Sequence, residues 1–97
     1  MEVKVQGIHF DVSERLNDFI NKKVERLARR YVNINYVDVT LTVLKKETAM
    51  NKQVVVKVTV PRAGEQVATK IADSFEEAFD VAMEAIERQL EKADSKK

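Results

Sequence analysis

"VDVTLTVLKKETAMNKQVVVKVTVP", residues 37–61, contains two segments in which every second residue is valine or leucine. Alternation of apolar with polar residues is typical of a β-strand that buries one face. The polar stretch "KKETAMNK" between the segments suits a connection, and Pro61 ends the second segment. We therefore predict two antiparallel strands joined by a polar loop.

Further strands are predicted on both sides of this pair. Near the N terminus "EVKVQ", residues 2–6, alternates in the same way. Beyond the pair, "PRAGE" has the chemistry of a hairpin loop, with Gly64 able to adopt a positive φ. The following "QVATKIA" is expected to be the fourth strand, with Val67, Thr69 and Ile71 on its apolar face.

Two amphipathic helices complete the pattern. The first is predicted over residues 13–31, where Asp11 or Ser13 can cap the N terminus. The second is predicted over residues 74–93, where a capping box begins at Ser74. In both segments apolar residues recur at three- and four-residue steps, which is the spacing of a helix with one buried stripe.

The order β-α-β-β-β-α predicts an α+β fold. The economical arrangement is a two-layer sandwich, with two parallel helices on one face of a four-stranded sheet. Such an arrangement is like that of a double-stranded-RNA-binding domain. With 97 residues, of which 44% are hydrophobic, the chain can bury one modest core. We expect a single domain over residues 1–97, with a disordered tail at about residues 94–97.

Composition argues against several classes of function. The chain has no cysteine and no apolar run near the roughly 18 residues of a membrane span, so we expect a cytoplasmic protein without membrane contact. Its one histidine, His9, stands alone, and Ser13 and Ser74 are explained as helix caps. Neither a glycine-rich phosphate loop nor a metal-ligand spacing is present. We expect no enzyme, no cofactor or metal, and no small-molecule substrate.

Basic residues are concentrated toward the ends of both predicted helices, although the net charge of the chain is only +1. Residues 14–31 hold six cations against three carboxylates. Residues 74–87 hold five carboxylates and no cation, whereas residues 88–97 hold four cations against two carboxylates. Because parallel helices place both C-termini at one end, we expect the two basic segments to lie side by side there, near Arg62.

The helix dipole by itself favours cations at helix C-termini, whatever the function. Two basic ends at one pole repel each other unless an anionic partner is present, and nucleic acid is the commonest such partner. Four of the six aromatic residues are assigned to the buried helix stripes, and no strand carries a pair of exposed ones, so phosphate contacts to folded RNA are favoured over base stacking. The candidate RNA-binding residues are Lys22, Lys23, Arg26, Arg29, Arg30, Arg88, Lys92 and Lys96.

Two other charged segments leave alternatives open. The acidic first half of the second helix, with Glu76, Glu77 and Asp80, would suit a module that binds a basic protein. The lysines of residues 45–52 are expected at the opposite pole, where they form either a second contact or a soluble loop.

Three stretches together cover most of the chain: "VKVQGIHFDVSERLNDFINKKVERL", "VDVTLTVLKKETAMNK" and "DSFEEAFDVAMEAIERQLEK". Within them, the patterns "L..FI.KKVERL" and "FD...EAIERQLEK" combine helical leucines with basic residues. In this the chain resembles the ribosome hibernation-promoting factors, also described as ribosome-associated inhibitors of translation. The β-α-β-β-β-α fold of that family agrees with the order derived above.

The resemblance implies a stress or stationary-phase factor that binds the small ribosomal subunit between head and body. Bound there, it would contact rRNA and keep the ribosome idle by blocking the path of mRNA and tRNA. By position, the family's rRNA contacts carry over to Lys23 and Arg26 in the first helix and to Arg88 and Lys92 in the second. The alternative is a general double-stranded RNA-binding module, which would not prefer ribosomes to a plain duplex.

The chain departs from the family pattern in places. Ala85 and Glu91 stand where family members often have basic residues, so we expect Arg29 and Arg30 to compensate from the first helix. Some relatives carry a further C-terminal domain that pairs ribosomes. Because this chain ends at Lys97, we expect the short form, for which ribosome dimerisation would need a separate factor.

Overall fold

The computed structural model of the protein describes residues 1–31, 33–44, 49–61 and 64–95, with side chains as far as residue 92. Its elements are, in chain order, β1 (Glu2–Ile8), α1 (Glu14–Arg30), β2 (Tyr36–Val43), β3 (Lys52–Val60), β4 (Gly64–Ala72) and α2 (Phe75–Ser95). The predicted β-α-β-β-β-α order is confirmed. The second helix continues to Ser95, two residues past its predicted end. Residues 96 and 97 of the predicted tail lie outside the described residues.

The four strands form one sheet in the order β1-β2-β3-β4. β1 and β2 are parallel, so the chain must return between them, and α1 makes that return. β3 and β4 each run antiparallel to the strand before them. These pairings confirm the antiparallel arrangement predicted for the second, third and fourth strands.

The core lies between the sheet and the two helices. The two central strands supply six fully buried residues, which are Val37, Val39, Leu41, Val54, Val56 and Val58. The helices cover them with stripes at three- and four-residue steps, formed in α1 by Leu16, Ile20, Val24 and Leu27 and in α2 by Phe75, Phe79, Ala82, Ile86 and Leu90. Because burying one such large apolar side chain contributes about 1.5 to 3 kcal/mol, this layer is the main source of stability.

The predicted apolar face of β4 is wrong. Val67 and Ile71 share a face as alternation requires, but that face points away from the helices, and each residue is 42% exposed. The helix side carries the buried Ala68 and Ala72 instead. The reason is the register of the β3–β4 pair, in which the buried Val56 lies opposite Ala68 and directly opposed residues share a face.

A tight connection links β1 to α1. The backbone of His9 has φ 66°, and the ring of Phe10 stacks on that of Phe75 with centroids 5.0 Å apart and planes within 6°. Ser13 then caps α1, since its Oγ accepts a hydrogen bond of 3.2 Å from the backbone N–H of Leu16. The aromatic stack fixes the start of α1 beside the first residue of α2.

Candidate nucleic-acid interface

Two ion pairs join the helices. Lys23 Nζ lies 3.2 Å from Asp80 Oδ1, and Arg30 Nη1 lies 2.8 Å from Glu87 Oε1. The two cations are seven residues apart on α1, and their partners are seven residues apart on α2 in the same order. Helices matched in this way run parallel, which confirms their predicted direction.

The ion pairs cross a groove of about 450 Å³ between the helices. One wall carries Lys23, Arg26, Leu27 and Arg30 of α1, and the other carries Asp80, Met83, Glu84 and Glu87 of α2. Three- and four-residue steps place these residues on one side of each helix, next to the buried stripe. The groove is therefore cationic on the α1 side and anionic on the α2 side.

Both ion pairs remain in contact with water. The side chains of Lys23 and Asp80 are 36% and 49% exposed, and those of Arg30 and Glu87 are 61% and 32% exposed. Exposed pairs of this kind contribute about 0 to 1 kcal/mol to stability. Their contribution to stability is therefore small, and both cations stay accessible to solvent.

Besides Lys23 and Arg30, three cations in the C-terminal half of α1 are exposed: Lys22, Arg26 and Arg29. Lys22 and Arg29 each follow a buried residue of the helix stripe by two positions, a rotation of about 200° around the axis, and so point away from the sheet. Within the described ranges none of the three forms an ion pair. We refer to Lys22, Arg26 and Arg29 as the α1 cation row.

The two basic segments do not lie side by side, and this expectation from the sequence is wrong. Arg30, the last residue of α1, is level with Glu87, so the basic part of α1 lies beside the acidic half of α2. From Glu87 to Ser95 the second helix continues for eight residues, or about 12 Å at the rise of an α-helix. Arg88 and Lys92 lie in this extension, beyond the end of α1.

Arg88 and Lys92 also lie apart from the groove around the helix axis. Both are exposed, and neither lines the groove. Arg88 and Lys92 follow the buried Ile86 and Leu90 by two positions and so point away from the sheet, as Lys22 and Arg29 do. The flank of α2 that faces β4 is marked by Gln89, whose Nε2 donates a hydrogen bond of 3.0 Å to the backbone carbonyl of Val67. The described candidate residues therefore form two groups, one on each helix, which are offset along the helix axis and have the groove carboxylates Glu84 and Glu87 between them. Lys96 and Arg62 lie outside the described residues.

The acidic residues of the groove were missed as partners of the basic ones. Sequence reasoning treated Asp80 as part of a separate acidic surface, whereas it pairs with Lys23. The matching seven-residue spacings of cations and carboxylates on the two helices were the signal that could have revealed it.

At the opposite end of the domain, Lys52 donates a hydrogen bond of 2.8 Å to Asn51 Oδ1, and Lys45 and Lys46 lie outside the described residues.

The three residues considered for catalysis, Ser13, Ser74 and His9, lie at the starts of the two helices and just after β1. Ser74 Oγ accepts a hydrogen bond of 3.2 Å from the backbone N–H of Glu77 and so caps α2, as Ser13 caps α1. His9 is exposed in the turn after β1. Among the residues whose positions are given, no three carboxylates or histidines are placed to hold a metal ion. No helix in that part of the chain is long and apolar enough to cross a membrane.

These features define a class of protein: a small two-layer α+β domain that displays its charged helices on one side of a four-stranded sheet. The chain belongs to the family described as Sigma 54 modulation protein / S30EA ribosomal protein, whose model matches residues 3–97. Relatives named Ribosome hibernation promoting factor include one from Azotobacter vinelandii, 30% identical over 90 residues that cover 93% of this chain and 79% of the relative. Another, from Pseudomonas putida, is 28% identical over 92 residues, which cover 95% of this chain and 85% of the relative. The resemblance to the hibernation-promoting factors is confirmed.

Two solved structures share the fold. A ribosomal subunit interface protein from Coxiella burnetii superposes with a TM-score of 0.84 at 22% identity, covering 98% of this chain and 99% of that one. The N-terminal domain of Thermus thermophilus Protein Y gives 0.78 at 20% identity, covering 95% of this chain and 98% of that one. At such identities the likeness establishes the fold.

Proposed function

We propose that this chain is a non-enzymatic, cytoplasmic hibernation factor that binds the rRNA of the small ribosomal subunit. Family membership and the names of its relatives support the ribosome as partner. The observation that carries the rRNA contact is the α1 cation row, which is exposed on a rigid helix and makes no ion pair with any described residue. Cations held at fixed spacing suit the regular phosphates of folded RNA.

The proposed mechanism is occlusion. The domain measures 46 by 22 by 17 Å along its principal axes, and its bulk would fill space that mRNA and tRNA need. No covalent step and no cofactor is required, because the effect depends only on occupancy of the site. Arg88 and Lys92 would contribute a second set of phosphate contacts from the extension of α2, which lies apart from the α1 row.

The test is co-sedimentation with vacant small subunits of wild type, an Arg26→Glu/Arg29→Glu variant and a Lys4→Glu/Lys57→Glu control. Both variants change the net charge equally, but Lys4 and Lys57 lie on the open face of the sheet, opposite Asp38 in the strand register. We expect the α1 variant to lose at least about tenfold in affinity, because it removes two cations that would contact phosphates. The control should stay near wild type, because it leaves those contacts in place.

Steep weakening of wild-type binding by salt should accompany this result, because phosphate contacts release counterions. Equal losses in both variants, or wild type remaining in the supernatant at low salt, would contradict the proposed interface. Equal affinity for small subunits and for a plain RNA duplex would favour the general double-stranded RNA-binding module instead. Occlusion is tested separately, by asking whether bound protein prevents mRNA from binding to the subunit.

A further inference from the structure

The carboxylates of the groove lie where they affect any RNA that approaches α1. On the basis of the function proposed above, we propose that Asp80 and Glu87 compete with RNA phosphates for Lys23 and Arg30. These two carboxylates thereby set the affinity of the RNA interface and its dependence on salt.

The geometry makes exchange of partners easy. Each carboxylate contacts its cation at the surface, at 3.2 Å for Asp80 and 2.8 Å for Glu87. A phosphate offers the same kind of charged oxygen acceptor as a carboxylate. Lys23 and Arg30 are partly exposed, so a phosphate can reach them from solvent without movement of either helix.

Other contacts hold the two cations in place. Lys23 Nζ lies 5.4 Å from the centroid of the Phe19 ring, and Arg30 Cζ lies 5.7 Å from that of Tyr31. Interactions of a cation with an aromatic face are attractive in their own right. Removal of the carboxylate charge therefore leaves each cation near its present position and available to phosphate.

Competition has a predictable size. Repulsion between a remaining carboxylate and a phosphate about 4 Å away in water corresponds to roughly a fivefold change in affinity. Neutralising both carboxylates should therefore tighten RNA binding by about 5- to 20-fold at low salt, the range allowing for unequal distances and screening.

The salt dependence should change as well. In wild type, displaced carboxylates take up cations from solution and so offset part of the counterion release from RNA. Once the carboxylates are neutralised, Lys23 and Arg30 contribute fully. The slope of log affinity against log salt concentration should then steepen by about 1 to 2, since each cation that neutralises a phosphate contributes nearly one.

The experiment compares wild type, Asp80→Asn/Glu87→Gln and Glu2→Gln/Glu65→Gln for binding to small subunits over a range of KCl concentrations. The amides keep the shape of the groove and can still accept a hydrogen bond. Glu2 and Glu65 provide the same change in net charge on the open sheet face, and Glu65 lies 4.0 Å from Lys57. Thermal melting of all three proteins shows whether each is folded.

We expect the groove variant to bind about 5- to 20-fold more tightly with a steeper salt slope, and the control to change less than about twofold. Unchanged or weaker binding by the groove variant would overturn the inference, as would an equal gain in the control, which would indicate net charge alone. These outcomes presuppose wild-type binding. If wild type does not bind small subunits, the proposed function fails and the inference fails with it.

Discussion

Replacing Gly7 by alanine should destabilise the fold through one defined collision. A Cβ at this position would lie 2.6 Å from the carbonyl oxygen of Phe10, 3.1 Å from Val12 Cγ2 and 3.2 Å from Phe10 Cε1. Backbone atoms cannot rotate out of the way as a side chain can. The turn that carries Phe10 must therefore move, and with it the ring that stacks on Phe75.

The expected loss of stability is the sum of three effects. Overpacking costs about 1 to 3 kcal/mol, and disturbing an aromatic pair costs about 0.5 to 1.5 kcal/mol. The lower flexibility of alanine in the unfolded chain returns about 0.4 to 1 kcal/mol. The net is a decrease of about 2 kcal/mol in the free energy of unfolding, which for a chain of this size lowers Tm by about 10 °C.

Thermal and urea unfolding of Gly7→Ala and Gly64→Ala provide the test. Gly64 is the matched control because it has φ +74° and nothing within 4 Å of an added Cβ, so only backbone strain of about 1 kcal/mol applies there. The combined Gly7→Ala/Phe10→Ala variant should cost less than the sum of its single changes if the damage passes through Phe10. The reasoning is refuted if Gly7→Ala melts within about 2 °C of wild type or is less harmful than Gly64→Ala.

Two further predictions concern β4 and the helix pair. Val67→Thr should change the free energy of unfolding by less than about 0.5 kcal/mol, because the side chain is exposed. Ala68→Thr should lower it by more than about 1 kcal/mol, because it adds volume and a hydroxyl beneath α2. Equal costs in urea unfolding would contradict the faces assigned to the strand. A double-mutant cycle on Arg30 and Glu87 should give a coupling of about 0.5 kcal/mol that fades in about 1 M NaCl. A coupling that survives such salt would show that the pair is shielded from water.

The order and direction of the elements could be predicted because they depend on local patterns. Alternation over residues 37–43 and three- and four-residue spacing in both helices are readable without knowledge of neighbours. Ser13 and Ser74 marked the helix starts because a capping hydroxyl acts within a single turn. The parallel direction of the helices then followed from the strand order.

Features that depend on the fit between elements were not predictable in the same way. Hydrophobicity favoured Val67 and Ile71 over Ala68 as core residues, but the register of the hairpin decides which side faces the helices. The offset between α1 and α2 along their axes depends on the lengths of the connections and on packing, including the stack of Phe10 on Phe75. Charge counting along the sequence therefore found the cations and the carboxylates, but not which of them face each other across the groove.

The position of α2 in the chain has a consequence for biosynthesis. This helix follows the complete sheet, yet it packs over β3 and β4, the strands that precede it directly. During translation the nascent chain thus holds four strands whose inner side, including Val54 and Val56, is partly uncovered until α2 emerges. Chains in that state expose apolar surface and unpaired strand edges, which promote aggregation. Folding should therefore be completed in one late step, and a product truncated before α2 should be a substrate for chaperones or proteases.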